Sequence, residues 1–248
     1  MPAPLTSAGA LIKDSWQLFV KTWDTTVRYS AWLIIPAVLT LADLAIPGNQ
    51  ESLIVLSAVV QIAVAIAVAI WVSIVLYQVT LALDAGSKVT EKTTADWKAF
   101  VLPMVLIGAL QGLATLGALL LFVLPGIYVG VRLGFSQLTL FSKGLKGRAA
   151  LAESWTLTKN RFWAVFWRQI AAGFVFAVLI MIVTTAAVLL VGLVAGGSKL
   201  GVLVDSKSLS PVAGGILGLV QSIIQAAFIP LIVIFQVKLY RALDRTRA

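Results

Sequence analysis

The chain has 248 residues, 60% of them hydrophobic and only 12% charged, with a net charge of +9 and a mean hydropathy of +1.01. A soluble domain carries about 25% charged residues, so this composition excludes an ordinary soluble fold, and apolar runs well beyond ~20 residues recur along the whole length. There is no Cys and no His, which removes disulfide and thiolate chemistry and leaves only carboxylates as metal ligands, so no metal or other cofactor is expected.

The N-terminal segment carries Lys13, Asp14, Lys21, Asp24 and Arg28, which leave no uninterrupted apolar stretch of the kind a cleavable signal needs. It reads instead as an amphipathic helix over 1–28. At 100° per residue, Leu5, Ile12, Trp16, Phe19 and Trp23 share one stripe, and the charges fall opposite. The apolar spans follow in order. The first covers about 29–46 and closes at the turn Pro47-Gly48-Asn49. The second lies within 53–83, longer than one bilayer crossing. The third covers about 100–123 and ends at Leu124-Pro125-Gly126, and the fourth is short, about 127–142. A second amphipathic segment near 148–168 aligns Leu151, Trp155, Phe162 and Phe166 against Glu153, Arg161 and Arg168. The fifth span covers about 169–195, before Gly196-Gly197. The sixth, about 212–237, starts at Ser210-Pro211, where Ser can cap and Pro suits the first turn.

Cations sort the connections. Sixteen Lys and Arg fall in the N-terminal segment, the second and fourth connections and the C-terminal tail. Only Lys199 and Lys207 fall on the other side, and Arg132 lies within a span. This bias predicts both termini in the cytoplasm and an even number of crossings. Because the cations flank apolar runs and form no continuous basic face, no nucleic-acid partner is expected. Tryptophan, Lys and Arg at the amphipathic segments (Trp16, Trp23, Trp155, Lys159, Arg161, Trp163, Trp167 and Arg168) suit an interface with the bilayer, and with anionic phospholipid in particular. Such helices either pack on the cytoplasmic surface of the bundle or lie free among headgroups. The fragment Asp14-Ser15-Trp16-Gln17-Leu18 recurs as Glu153-Ser154-Trp155-Thr156-Leu157, with an echo at Asp96-Trp97. That pattern suggests up to three units of an amphipathic helix and a hairpin.

Two ionisable residues fall inside spans, Asp43 and Arg132, both placed by this reading in the outer half of the membrane. An unpaired charge there costs a few kcal/mol on insertion scales. Three arrangements answer that cost: an Asp43–Arg132 ion pair, Arg132 reaching outer headgroups, or a polar site where Arg132 faces an anion such as a lipid phosphate. The amides and hydroxyls Gln61, Ser73, Gln78, Gln111, Thr115, Gln137, Thr184, Thr185, Gln221 and Gln225 suit hydrogen bonds between helices, or a polar conduit. Gly126, Gly130 and Gly134 recur at spacing four, as do Gly108 with Gly112 and Gly214 with Gly218, a packing signal in lipid. No P-loop occurs, and no two carboxylates share a span at helical spacing, so no enzyme is expected.

One stretch resembles a known group. Leu124-Pro125-Gly126-Ile127-Tyr128-Val129-Gly130-Val131-Arg132-Leu133, followed by Ala150-Leu151-Ala152-Glu153-Ser154-Trp155-Thr156-Leu157-Thr158-Lys159-Asn160-Arg161-Phe162-Trp163, resembles the membrane domain attached to some glycerophosphoryl diester phosphodiesterases and related stand-alone bacterial inner-membrane proteins. The resemblance implies a six-helix protein of the bacterial inner membrane. It does not carry over the phosphodiesterase activity, which belongs to a separate soluble barrel for which the residues after the sixth span leave no room. The expectation is therefore an all-α integral membrane protein, a six-transmembrane-helix bundle forming one polytopic domain over 1–248 with cytoplasmic amphipathic helices. Its expected role is that of a scaffold, regulator or lipid- or partner-binding module, with a protein partner or a second copy among its binding partners. The alternative is a small transporter or lipid-handling protein with a polar cavity near Arg132 and Asp43.

Overall fold

A computed structural model of the chain describes residues 5–46, 50–196 and 211–246. The expected turn at Pro47-Gly48-Asn49, the residues Gly197, Lys199, Lys207, Ser210 and Arg247, and with them the connection before the last helix, lie outside the described residues. Those described form helices, and no strand occurs among them. Ser7 caps α1 (Ala8–Lys21), its hydroxyl accepting from the Ala10 N–H at 3.3 Å. The chain then turns at Thr22 into α2 (Trp23–Ser30), so the amphipathic segment is two helices rather than one. A 3₁₀ turn at Ala31–Ile34, α3 (Ile35–Thr40) and a second 3₁₀ turn at Leu41–Ala45 continue it, with Pro36 in the first turn of α3. Next comes α4 (Glu51–Asp84), 34 residues unbroken, about 50 Å at ~1.5 Å per residue against ~30 Å of hydrocarbon.

After the short α5 (Glu91–Thr94), α6 (Trp97–Leu121) and α7 (Val123–Leu133) form a hairpin. The turn comes earlier than the sequence suggests. Phe122, extended at φ −164° and ψ 157°, is its single non-helical residue, and Leu124-Pro125-Gly126 stands inside the first turn of α7. The fourth span is likewise not one helix: it breaks at Gly134-Phe135, and α8 (Ser136–Lys143) follows, closed by Gly144 at φ 69°. The second amphipathic segment also breaks. α9 (Gly147–Leu157) ends at Thr158, Asn160 adopts φ 61°, and α10 (Phe162–Gly196) begins seven residues before the expected fifth span. The last helix is α11 (Pro211–Arg245). Among the described residues, five stretches are long and apolar enough to cross a membrane: Trp23–Asp43, Glu51–Asp84, Glu91–Leu121, Phe162–Val191 and Gly214–Arg245.

The chain divides into two units. One takes Met1–Thr26, Ser73–Phe174 and Leu231–Ala248, the other Val27–Val72 and Val175–Pro230. In the first, the C-terminal ends of α4, α8 and α11 meet. Tyr77 stacks on Phe141, Phe141 on Phe100, and the Tyr240 ring approaches Phe135, with centroids 5.4, 5.1 and 6.3 Å apart. Leu76 and Val79, Leu138 and Leu140, and Ile234 and Leu239 are buried there, two from each helix. The three stretches share a local sequence: Gln78-Val79-Thr80-Leu81, Gln137-Leu138-Thr139-Leu140 and Gln236-Val237-Lys238-Leu239. The earlier motif has matching burial too. Ser15 and Ser154 are both fully buried while Trp16 and Trp155 both stay on the surface. In the second unit, Trp32 meets Trp71 edge to face at 5.5 Å, and Leu41 packs where a Cβ on Gly215 would stand, 2.7 Å away.

Candidate functional site

The break between α7 and α8 leaves backbone groups that neither helix can satisfy, and α9 supplies them. The Ser154 hydroxyl donates to the Arg132 carbonyl at 2.8 Å and accepts the Phe135 N–H at 3.1 Å. Four residues earlier on α9, the Ala150 carbonyl accepts from Thr139 Oγ1 at 3.2 Å. One buried serine thereby holds an interrupted helix to its neighbour, as buried polar backbone requires.

Arg132 sits at this joint, 6% exposed. Its Nη1 donates to the Tyr128 hydroxyl and its Nη2 to the Trp155 carbonyl, each at 2.8 Å. The guanidinium lies 4.3 Å from the Trp155 ring centroid and 5.4 Å from that of Tyr128. Its Nε–H is buried and faces no acceptor. Instead of a carboxylate, the cation has a phenol, a carbonyl and two π faces, which favour Arg over Lys because the planar ion stacks. Asp43 has its own partner: both its carboxylate oxygens accept from Gln61 Nε2, at 3.0 and 2.9 Å. Each of the two charges that the sequence offered to each other is thus answered within its own unit. Tyr128 stands four residues before Arg132, and that spacing was the available sign of their contact.

The aromatic run continues onto α10. Phe162 packs on Tyr128 at 4.8 Å and on Phe166 at 5.7 Å, while Trp163 and Trp167 are 66% and 61% exposed. Phe19 lies between Trp16 and Trp23 on the α1–α2 side. Lys159 is exposed, but the two arginines beside it are engaged. Arg161 donates to the hydroxyl and carbonyl of Thr246. Arg168 donates to the carbonyls of Thr6 at 2.8 Å and Leu5 at 3.0 Å. These cations hold chain ends in place rather than facing outward.

Beside them a cavity of about 180 Å³ is lined by Asp14, Asp84, Lys238, Arg241 and Arg245, among others. Asp84 accepts from Lys238 at 3.3 Å and lies 3.6 Å from Arg241. On α8, Lys143 joins Asp244 at 2.8 Å and Glu153 at 2.9 Å. These two bonds, Asp244 first, hold its ammonium well above the usual lysine range. Of the glycine ridge, Gly126 and Gly130 face α6: a Cβ at 126 would fall 2.3 Å from Leu119 Cγ, and one at 130 would fall 3.6 Å from Thr115. Gly134 stands at the break. Gly112, Gly214 and Gly218 have nothing within 4 Å, so spacing alone did not make them contacts.

No grouping of three metal-ligating side chains occurs among the described residues. Compared with protein-family models, with curated proteins and with solved structures, the chain finds no match.

Proposed function

We propose that this protein is a non-enzymatic, multi-pass membrane module whose cytoplasmic face binds anionic phospholipid and through it organises a partner at the membrane. The carrying observation is how its polar groups are used. Arg132, Ser154 and Thr139 serve packing at the α7–α8–α9 joint, while Trp163 and Trp167 stand exposed close to the exposed cation Lys159. Exposed Trp beside basic residues is the composition of a membrane–water interface. On this reading α1 and α9 lie on the cytoplasmic side, both termini face the cytoplasm, and the membrane is the inner membrane of a bacterium. The crossings number six if α6 and the α7–α8 pair each span. The likeness of 124–163 to the phosphodiesterase-associated membrane domain fits this reading, since its most distinctive residues, Arg132 and Ser154-Trp155, touch one another. The transporter alternative has less support, because two of the three guanidinium nitrogens of Arg132 are already bonded within the fold.

The test follows from which cations are free. Arg161 and Arg168 hold the chain ends, so exchanging them would perturb the fold. Lys146, Arg148 and Lys159 are exposed. Reversing these three to Glu is expected to lower the share of anionic phospholipid that co-purifies with the protein without lowering its abundance. An unchanged lipid profile, together with unchanged recovery of partners, would sink the proposal.

A further inference from the structure

The tip of the α6–α7 hairpin is unlike a turn that emerges into water. From Ala118 to Ile127 the chain has no polar side chain at all. The other two connections assigned to that side contain Asn49, Gln50 and Glu51 in one case, and Lys199, Asp205 and Lys207 in the other. Leu120, Phe122 and Leu124 are 89%, 77% and 78% exposed. Such a patch is a liability in water and costs nothing among acyl chains.

Hydrocarbon disfavours unpaired backbone groups, and this turn pairs part of its own. The Phe122 N–H donates to the Ala118 carbonyl at 3.2 Å, and its carbonyl accepts from Gly126 at 3.3 Å. Pro125 stands third in α7, at a position whose N–H finds no partner within a helix, and proline has none to leave. Gly126 lets the two limbs close against Leu119.

α6, with 25 residues, is long enough to cross, so the depth of the tip is set by where the shorter limb, α7, meets the surface. α7 has 11 residues, about 16 Å at ~1.5 Å per residue, against ~30 Å of hydrocarbon. At its far end Arg132 bonds to the backbone of α9. That helix carries Arg148 and Glu153 and is followed by Lys159, so it belongs at the surface rather than in hydrocarbon. Alongside α7, in the groove it forms with α6 and α10, run Phe166 and Ile170, neighbours of the exposed Trp163 and Trp167. Measured from Arg132, Leu124 lies eight residues on, about 12 Å deeper, near the middle of a bilayer.

We propose that α6–α7 is a re-entrant hairpin. It enters from the side that carries α9, rests its tip among the acyl chains near mid-bilayer and returns without reaching the opposite surface. The complete crossings are then four (Trp23–Asp43, α4, α10 and α11), and the termini stay on one side. The hairpin displaces lipid from the leaflet it enters and not from the other. This goes beyond the module reading above and rests on its topology alone.

The chain has no native Cys, so Phe122→Cys and Leu120→Cys, both at uncovered positions, report directly. A fluorophore on either is expected to be quenched most by spin labels near the acyl-chain ends in liposomes holding the whole protein. Strongest quenching by headgroup labels would overturn the proposal. In intact cells an impermeant thiol reagent is expected to modify the Phe122→Cys protein at least about tenfold more slowly than a Gln50→Cys control, since hydrocarbon suppresses the reactive thiolate. Equal rates would overturn it. A silent Gln50→Cys would count against the topology of the module reading, and the quenching depth would still decide the hairpin. Efficient oxidation of the Phe122→Cys protein to a disulfide-linked dimer would assign the tip to a second copy and overturn it as well.

Discussion

Arg132 is a buried cation whose charge is spread over hydrogen bonds and aromatic faces, and its energetics differ from those of an ion pair. With no carboxylate to strand, its removal leaves no buried counter-charge behind. A double-mutant cycle with Arg132→Met and Trp155→Leu is expected to give a coupling of about 1–2 kcal/mol in thermal or chemical unfolding of the detergent-solubilised protein. A coupling near zero would mean that the stack contributes only contact area. Lys143 follows the opposite rule, since its partners are the carboxylates of Asp244 and Glu153. Its folded pKa is raised, so its contribution to stability is complete below the ordinary lysine value of about 10.4 and is lost as pH climbs through the folded value. Lys143→Met is therefore expected to lower the melting temperature by a constant amount from about pH 6 to about pH 9. The loss should be small, of order 1 kcal/mol or less, because the ammonium is partly in solvent. A mutational effect that varies across that range would contradict the assignment.

At the scale of elements, the α6–α7 hairpin depends on one glycine more than on the ridge that contains it. A methyl at 126 collides with Leu119, whereas one at 112 meets nothing. Gly126→Ala is expected to cost about 1–3 kcal/mol by overpacking. Gly112→Ala should cost nothing, or gain through helix propensity. Comparing the melting temperatures of the two variants checks this, and equal effects would mean that the hairpin relaxes around the added carbon. The α7–α8 break has a similar logic. α9 does not simply lie beside α8: it supplies the hydroxyl that the interrupted backbone needs, which couples the two elements more specifically than apolar contact would.

At the scale of the whole chain, the distribution of basic residues carries the proposed orientation. Their concentration in the N-terminal segment, two connections and the tail predicts that reporters active only in the cytoplasm work at either terminus and fail after Gln50. A reporter active after Gln50 would invert the topology. Repetition also belongs to this scale. Two motifs recur, one around Trp16 and Trp155 and one around Gln78, Gln137 and Gln236. The three helix ends carrying the second motif pack together in one unit, as copies of a single hairpin brought around a shared core would.

Composition and hydropathy alone determined the helical fold and the apolar, membrane-length character of α4, α10 and α11, although α10 starts seven residues before its expected span and α11 ends eight residues after its own. Those properties depend on transfer free energies and local propensities that each stretch carries by itself. The same local reading ran α9 into α10, because an amphipathic stripe persists in sequence across Thr158–Arg161 even where Asn160 turns the backbone. It also took 127–142 as one helix, since no Pro, Asn or Asp stands within it to mark the break. Only tertiary structure decided which partner answers Arg132, that Ser154 bridges the break, and that Arg161 and Arg168 hold chain ends. Those pairings join residues up to 163 positions apart, and they follow from how helices pack rather than from any pattern within one of them.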